Sequence, residues 1–260
     1  MFTAIDENGN IVVAQKDLTK ERKYYCRICN EEVRLRCGGN NVPQFAHKNP
    51  CIDDFNYGEM SEWHKSWQEL FPLNNREVII EHNKEVHRAD VMFYGTVIEF
   101  QHSPISKSEF ERRNKFYTNA GKKVVWIFDL TELFSGYDES GRLFISGDCC
   151  NQWGSGSKFT WKHPWRFLED FLPQDEKNID IFFNTSTLGD NPRSKYSNGC
   201  IDKVVWVDPN YKTCWGRFHT DNKIANAFEL FQNVIERYEQ SQKLKQPAKP
   251  NITSTFTSSK

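Results

Sequence analysis

Residues 86–103 read VHRADVMFYGTVIEFQHS. Apolar and polar residues alternate through most of this stretch, the pattern of a half-buried β-hairpin. Two acids stand inside it, Asp90 and Glu99, among Val91, Met92, Ile98 and Phe100. Successive strand side chains point to opposite faces, so Asp90, Met92 and Tyr94 share one face, as do Val97, Glu99 and Gln101. A two-residue turn at Gly95-Thr96 would pair Tyr94 with Val97 and set Asp90 opposite Gln101. Glu99 would then lie diagonal to Asp90 on the same face, about 7–8 Å away at Cα. A bulged turn would change that parity.

An unpaired buried carboxylate costs on the order of several kcal/mol, and two on one face also repel. A divalent cation removes both penalties, because Mg²⁺ and Mn²⁺ prefer carboxylate oxygen. The plainer alternative pairs each acid with a base such as Arg88 or Lys84 at a strand end, where a solvated acid costs little.

The flanks set the hairpin in a larger order. GEMSEWHKSWQELF, residues 58–71, reads as a helix. Met60, Trp63, Trp67, Leu70 and Phe71 form its apolar stripe, and Glu59, Glu62, Ser66 and Glu69 lie on another face. Three strand-like runs follow, EVIIEH, HRADVMFY and TVIEFQ. A second helix opens at Ser106, which makes a capping-box pattern with Glu109, and ends near Gly121, a C-terminal cap. KVVWIFDL comes next as a buried strand. From residue 58 to 130 the order is helix, three strands, helix, strand, an α+β arrangement.

Upstream, TAIDENGNIVVA suggests a hairpin around an Asn-Gly turn. A Cys-rich segment then runs to about residue 55. Cys26-x2-Cys29 is half of a zinc site, and His47-x3-Cys51 has the spacing of a second pair, giving a closed Cys₃His site of structural type. Cys37 is the competing ligand, in a strand-turn stretch. A redox CxxC would open a helix after a strand, whereas RICNEEVRLRCGG reads as turn and strand. Tyr24, Tyr25 and Phe45 either contact nucleic-acid bases or form the module's small core. Cys149, Cys150, Cys200 and Cys214 show no ligand spacing and read as structural thiols.

Composition narrows the function classes. The 260 residues have a formal net charge of −1, so no global field draws in nucleic acid. Local excesses exist: residues 16–48 hold eight Lys or Arg against four acids, and residues 107–123 hold six against two. No run of about 18 apolar residues suggests a membrane span, and the first residues do not resemble a secretory signal. A cytoplasmic protein is expected, in which clustered cysteines favour metal over disulfides.

Beyond residue 130 the sequence is less explicit. FTWKHPWRFLEDFL, IDIFFNTS and KVVWVDP are strands or short helices around an aromatic core, and CNQWGSGSKF is a loop. Residues 221–240 read as a helix with Ile224, Phe228, Phe231, Ile235 and Tyr238 as its docking stripe. The polar end is expected to be disordered. The expected organisation is a hairpin and zinc module over 1–55, a core over 56–130, an extension packed on that core over 131–240 and a tail over 241–260.

Asp90, eight intervening residues, then Glu99-Phe100-Gln101, set in this element order, resembles the PD-(D/E)xK nuclease superfamily. HRAD, IEFQHSPIS and EFERR, with the Cys-rich segment ending in PQFAHK, are similar to the competence CoiA-like family. The resemblance spans about residues 20–130 and implies a restriction-endonuclease-like core, a mixed sheet flanked by helices, behind a zinc-ribbon-like module. It implies metal-dependent hydrolysis of phosphodiester bonds by an endo- or exodeoxyribonuclease. Asp90 and Glu99 would hold Mg²⁺ or Mn²⁺ with the Phe100 carbonyl, and Gln101 would orient the attacking water. Glu62 would be the helix carboxylate, with Glu59 as fallback. In this branch Gln replaces Lys, and Gln orients water but carries no charge. That charge falls to the metal, to Lys65 or to an Arg of the second helix.

Arg112 and Arg113 would grip phosphate, or are solvated helix surface. One of His64, His87 and His102 is open as a general acid or base, but histidines at strand and helix edges read first as structural. DNA is the expected substrate, with RNA open because nothing reads a 2′-OH. A protein partner or homo-oligomer is also open. Two rivals stand: a non-catalytic nucleic-acid-binding factor on a degenerate nuclease fold, and a partner-recruiting scaffold. Competence, repair and phage defence are the candidate settings.

Overall fold

The computed structural model describes residues 1–39, 42–52, 60–129, 131 and 178–184. It adds the strand backbone over 134–137, 143–145, 200–206 and 218–226, and the helical residues 231, 232, 234–236 and 238–240.

The N-terminal hairpin forms as expected. β1 (Thr3–Asp6) pairs antiparallel with β2 (Ile11–Val13). At the turn, the Asp6 carboxylate accepts from the backbone N–H groups of Asn8 and Asn10, both at 2.9 Å, and Gly9 takes φ +82°. β3 (Tyr24–Tyr25), β4 (Glu32–Arg36) and β5 (Gln44–His47) complete a five-stranded sheet in the order β2-β1-β3-β4-β5. Ala4, Ala14, Tyr24, Cys26, Val33 and Phe45 form its core, which places Tyr24 and Phe45 in packing rather than at a base-binding surface.

The second sheet holds the hairpin quoted above. β6 (Arg76–His82), β7 (Glu85–Phe93) and β8 (Thr96–Gln101) run antiparallel. Helix α2 (Lys107–Asn119) then crosses over to β9 (Lys123–Asp129), which lies parallel to β8. Parallel neighbours require such a crossover. The Ser106 hydroxyl caps α2 by accepting from the Glu109 N–H at 3.1 Å, and Gly121 closes it at φ +71°. Helix α1 (Glu62–Glu69) is shorter than 58–71: Ser61 caps it, Leu70 ends it 48% exposed, and Phe71 reaches the core from beyond its end.

The two helices cover opposite faces. On β9, Val124, Trp126 and Phe128 pack with Phe110, Phe116 and Tyr117 of α2, while Val125 and Ile127 pack with Trp67 of α1 and with Phe71. A strand buried on both faces must read as a continuous apolar run, and KVVWIFD does.

β10 (Phe134–Tyr137) and β11 (Leu143–Ile145) form a separate two-stranded sheet. β12 (Ile179–Asn184), β13 (Cys200–Trp206) and β14 (Phe218–Asn226) extend the main sheet, whose order is β14-β13-β12-β9-β8-β7-β6. This corrects two expectations. Residues 131–240 do not merely pack on the core, since three of their strands lengthen its sheet beyond β9. The 221–240 helix is also too long: residues 218–226 pair with β13, so Ile224 belongs to a strand, and the described helical residues start at 231. Docking is kept by the later stripe, with the Phe231 ring 4.4 Å from Phe71 and Tyr238 5.3 Å from Tyr94. The stretches 159–172 and 150–159, the tail 241–260 and Cys149, Cys150 and Cys214 lie outside the described residues, and of Cys200 only the strand backbone is described.

The hairpin turn also differs. Phe93 pairs with Thr96, so Tyr94-Gly95, not Gly95-Thr96, is the two-residue turn. Tyr94 at φ +46° and Gly95 at φ +76° give it the left-handed backbone that matches strand twist. Parity is preserved, but the register closes by two residues: its continuation sets Asp90 opposite Glu99 rather than Gln101.

Candidate active site and metal centre

β7 and β8 part company at Asp90. Their paired residues end at Val91 and Ile98. Beyond that point the Phe100 N–H donates to Asp90 Oδ2 at 2.9 Å, so a side chain replaces the backbone ladder. Ala89 packs on the α2 face and Val91 on the α1 face, although residues two apart should share a face. The alternation therefore breaks at Asp90. On the other side, Arg76 pairs with Val91 and Val78 with Ala89, which puts Glu77 across from Asp90, and Glu77 has φ +46°.

Asp90 and Glu99 are both buried, 5% and 1% exposed. Asp90 turns to α1: His64 Nε2 lies 3.0 Å from Oδ1, and Gln68 Nε2 is 3.5 Å from the same oxygen. Glu99 turns to α2: Arg113 Nη1 donates to Oε2 at 3.0 Å, and the Tyr117 hydroxyl donates to Oε1 at 2.8 Å. Burial alone would raise Asp90, but the His64 charge, the bonds from His64 and Phe100 and the nearby Arg113 hold it below its ordinary value. Burial and the Asp90 charge push Glu99 up to about 7, against the opposing pull of Arg113 and Tyr117. The two carboxylates thus repel each other in a site shielded from water.

Several expected residues stand elsewhere. Glu62, the first residue of α1, is exposed, and its place on Asp90 is taken by His64 and Gln68, one turn apart on the inward face. Glu59 lies outside the described residues. Lys65 pairs with Glu69 at 3.4 Å along the helix. Arg113 is 3% exposed and binds Glu99 and Glu109, so it is no surface phosphate grip. Arg112 is half-exposed and donates to Glu109. Gln101, half-buried, donates from its amide nitrogen to the Ser103 carbonyl.

The polar stripe Glu109-x3-Arg113-x3-Tyr117 was the available signal for the Glu99 partners, since residues four apart share a helix face. His64-x3-Gln68 was the corresponding signal for Asp90. Beside the site, His102 Nδ1 lies 2.7 Å from Asp129 Oδ2, and the Asp129 carboxylate is fixed by the Thr131 N–H and hydroxyl. The Trp63 ring is 6.1 Å from His102 and donates its indole N–H to Asn184 at 2.7 Å.

The second centre lies in the N-terminal sheet. The ligand atoms of Cys26, Cys29, His47 and Cys51 lie within 4.8 Å of one another. Cys26 Sγ and Cys51 Sγ are 3.9 Å apart, and Cys29 Sγ is 3.4 Å from His47 Nε2. Zn–S bonds of about 2.3 Å arranged tetrahedrally imply S–S edges of roughly 3.8 Å, so the arrangement fits a closed tetrahedral ion. Burial raises the Cys26 thiol, with Cys29 adding to the rise. A bound cation reverses that shift by favouring thiolate. Cys37 lies outside the cluster.

The fold and these two centres define an α+β nuclease-like domain behind a Cys/His module with metal-ligand geometry. Residues 11–51 match the N-terminal domain of competence protein CoiA, and residues 64–141 match the CoiA nuclease-like domain. These two matches support a competence protein CoiA-like family. No curated protein and no solved structure matches it. Among the described residues, no helix is long and apolar enough to cross a membrane.

Proposed function

We propose that the chain is a divalent-metal-dependent nuclease on a PD-(D/E)xK core, with Asp90 and Glu99 holding Mg²⁺ or Mn²⁺. The observation that carries this reading is a pair of buried carboxylates where β7 leaves β8, Asp90 turned to α1 and Glu99 to α2, near enough for the Asp90 charge to raise Glu99, inside a nuclease-like domain. The donor set fits a hard cation, since both groups offer carboxylate oxygen and the Phe100 carbonyl is adjacent. When bound, the ion lowers the pKa of its water and stabilises charge on the phosphate.

The chain's own residues do the rest. His64 and the Phe100 N–H orient Asp90, and Arg113 and Tyr117 orient Glu99. Gln101 spends its amide nitrogen on Ser103, which leaves the amide oxygen to accept from the attacking water. Arg113 supplies the fixed positive charge that Gln101 lacks. Zinc in the Cys₃His site is structural, because four protein ligands close it. DNA is the substrate of this reading, and the cytoplasm its setting.

A non-catalytic binding factor is the second reading. Its support is that every carboxylate oxygen of Asp90 and Glu99 already has a protein partner. Incubation with single- and double-stranded DNA and RNA, with Mg²⁺ or Mn²⁺, separates the two. Cleavage lost in Asp90→Asn and Glu99→Gln supports the nuclease. Cleavage that survives both substitutions refutes the site, and binding of any of these without cleavage favours the second reading.

A further inference from the structure

Helix α2 has a second polar face. Glu109, Arg113 and Tyr117 point toward Glu99, whereas Arg112, Lys115 and Asn119 line a groove of about 460 Å³. The opposite wall is the β6–β7 hairpin tip, residues 82–87, and the groove is closed at one side by Ile52, the residue after Cys51. Elements of the metal module, the sheet and α2 therefore meet there.

We propose that this groove binds the phosphates of a polynucleotide backbone. Among the described lining residues its formal charge is one-sided: Lys84, Arg112 and Lys115 stand against Glu85, and the imidazoles of His82 and His87 add ring nitrogens. Glu109 partly offsets Arg112, and the Glu85 carboxylate lies 3.8 Å from His87 Nε2. The hairpin tip adds an independent sign. Asn83 and Lys84 form a tight turn at φ +50° and +69°. Glycine would fill the second position without strain, yet a lysine stands there and carries its ammonium to the rim.

The two imidazoles are pre-set by an aromatic floor. The buried Phe116 ring lies 4.5 Å from His87, edge to face, and 6.4 Å from His82. The groove offers mostly N–H donors, and its volume suits one or two nucleotide units. Among the described lining residues the aromatic ring is the buried Phe116, so charge rather than base stacking does the binding, and sequence preference is weak.

The choice of ligand rests on the nuclease reading, and the test separates the two. Binding of fluorescein-labelled single- and double-stranded DNA is followed by anisotropy across a salt series. The Glu99→Gln background is used without added divalent cation, so that nothing is cut whichever way that substitution acts. Lys84→Gln/Lys115→Gln and Lys84→Glu/Lys115→Glu are compared, with thermal melts as fold controls. The expected result is a loss of about tenfold for the neutral pair and more for the reversed pair. The salt slope should fall by roughly 1.4–1.8, two phosphate contacts at about 0.7–0.9 each.

Unchanged affinity and slope in both pairs, with melts intact, overturns the groove whatever Glu99→Gln does to cleavage. Equal competition by inorganic phosphate and by oligonucleotide, at matched phosphate concentration, also overturns it in favour of a small-anion site. A groove that binds while neither Asp90→Asn nor Glu99→Gln alters cleavage keeps this proposal and removes the nuclease assignment.

Discussion

Arg27 holds Glu77 from inside the metal module. It stands between Cys26 and Cys29 of the Cys/His cluster, and its Nη1 donates at 3.0 Å both to the Glu77 carbonyl and to Thr3 Oγ1. Glu77 faces Asp90 across the sheet, so the Cys/His cluster and the carboxylate corner are braced by one side chain.

Arg27→Ala is therefore expected to destabilise the chain by about 1–3 kcal/mol, the cost of stranding a buried acceptor. Urea unfolding measures it. If Arg27 braces the core, the loss appears in tryptophan fluorescence, to which Trp63, Trp67 and Trp126 of the core contribute among the chain's eight tryptophans. A loss confined to metal release, with core unfolding unmoved, would refute the brace.

Zinc removal should act on the same path. Stripping the cluster with a chelator that spares Mg²⁺ is expected to lower the melting temperature of the nuclease-like domain, because metal-binding free energy is folding free energy. Cys29→Ser should mimic it, while Cys37→Ser, outside the cluster, should leave metal content unchanged. Equal zinc loss in both variants would reassign the ligands.

Glu77→Ala should be among the most damaging single changes. Its buried carboxylate accepts from the N–H groups of Phe2 and Thr3 and from the Thr3 hydroxyl, with Arg88 at 3.8 Å. Removing it strands three donors and takes an ion-pair partner from the buried Arg88, a loss on the order of 3–5 kcal/mol. Against the rise from burial, Arg88 and the bound N–H groups keep this acid below its ordinary 4.5. Its contribution is therefore present above that value and vanishes as pH falls through the folded value. An acid-unfolding midpoint shared by the wild type and Glu77→Gln would contradict this.

Glu99 has the opposite sign. Its folded value is raised from 4.5 to about 7, so its favourable contribution is complete below 4.5 and is lost as pH rises through 7. Without divalent cation, wild-type stability should decline between pH 5 and 8 by up to about 3 kcal/mol. Glu99→Gln should flatten that slope, although its absolute stability also reflects the lost Arg113 pair. Mn²⁺ should stabilise the wild type more at pH 8 than at pH 6, since it competes with the proton. Parallel pH profiles for the two proteins would dismiss the coupled pair.

The sequence made the element order, both cap residues of α2, the two-faced strand over Lys123–Asp129 and the Cys₃His spacing legible, because each rests on local periodicity or chemistry. The misses share a different cause. Tyr94 is not a residue that announces a positive φ, so the turn was placed one residue late. Glu77 looked like an ordinary strand acid, and nothing local reveals that the chain bends at it. Ile224 fits helix and strand spacing alike, and only pairing with β13 decides. His64 was visible, but its tie to Asp90 depends on where α1 settles over the sheet.

The positive φ of Glu77 has a consequence for how copies of this chain meet. Among the described strands β6 lies at one end of the sheet, and an unbroken outer strand can accept another chain. Here the backbone turns aside at the strand's second residue, and the carboxylate draws Phe2 and Thr3 against it. The bend that opens a corner for Asp90 also shortens the straight border that this side of the sheet offers to a neighbouring molecule, one of the ways in which an edge strand is kept from pairing with another chain.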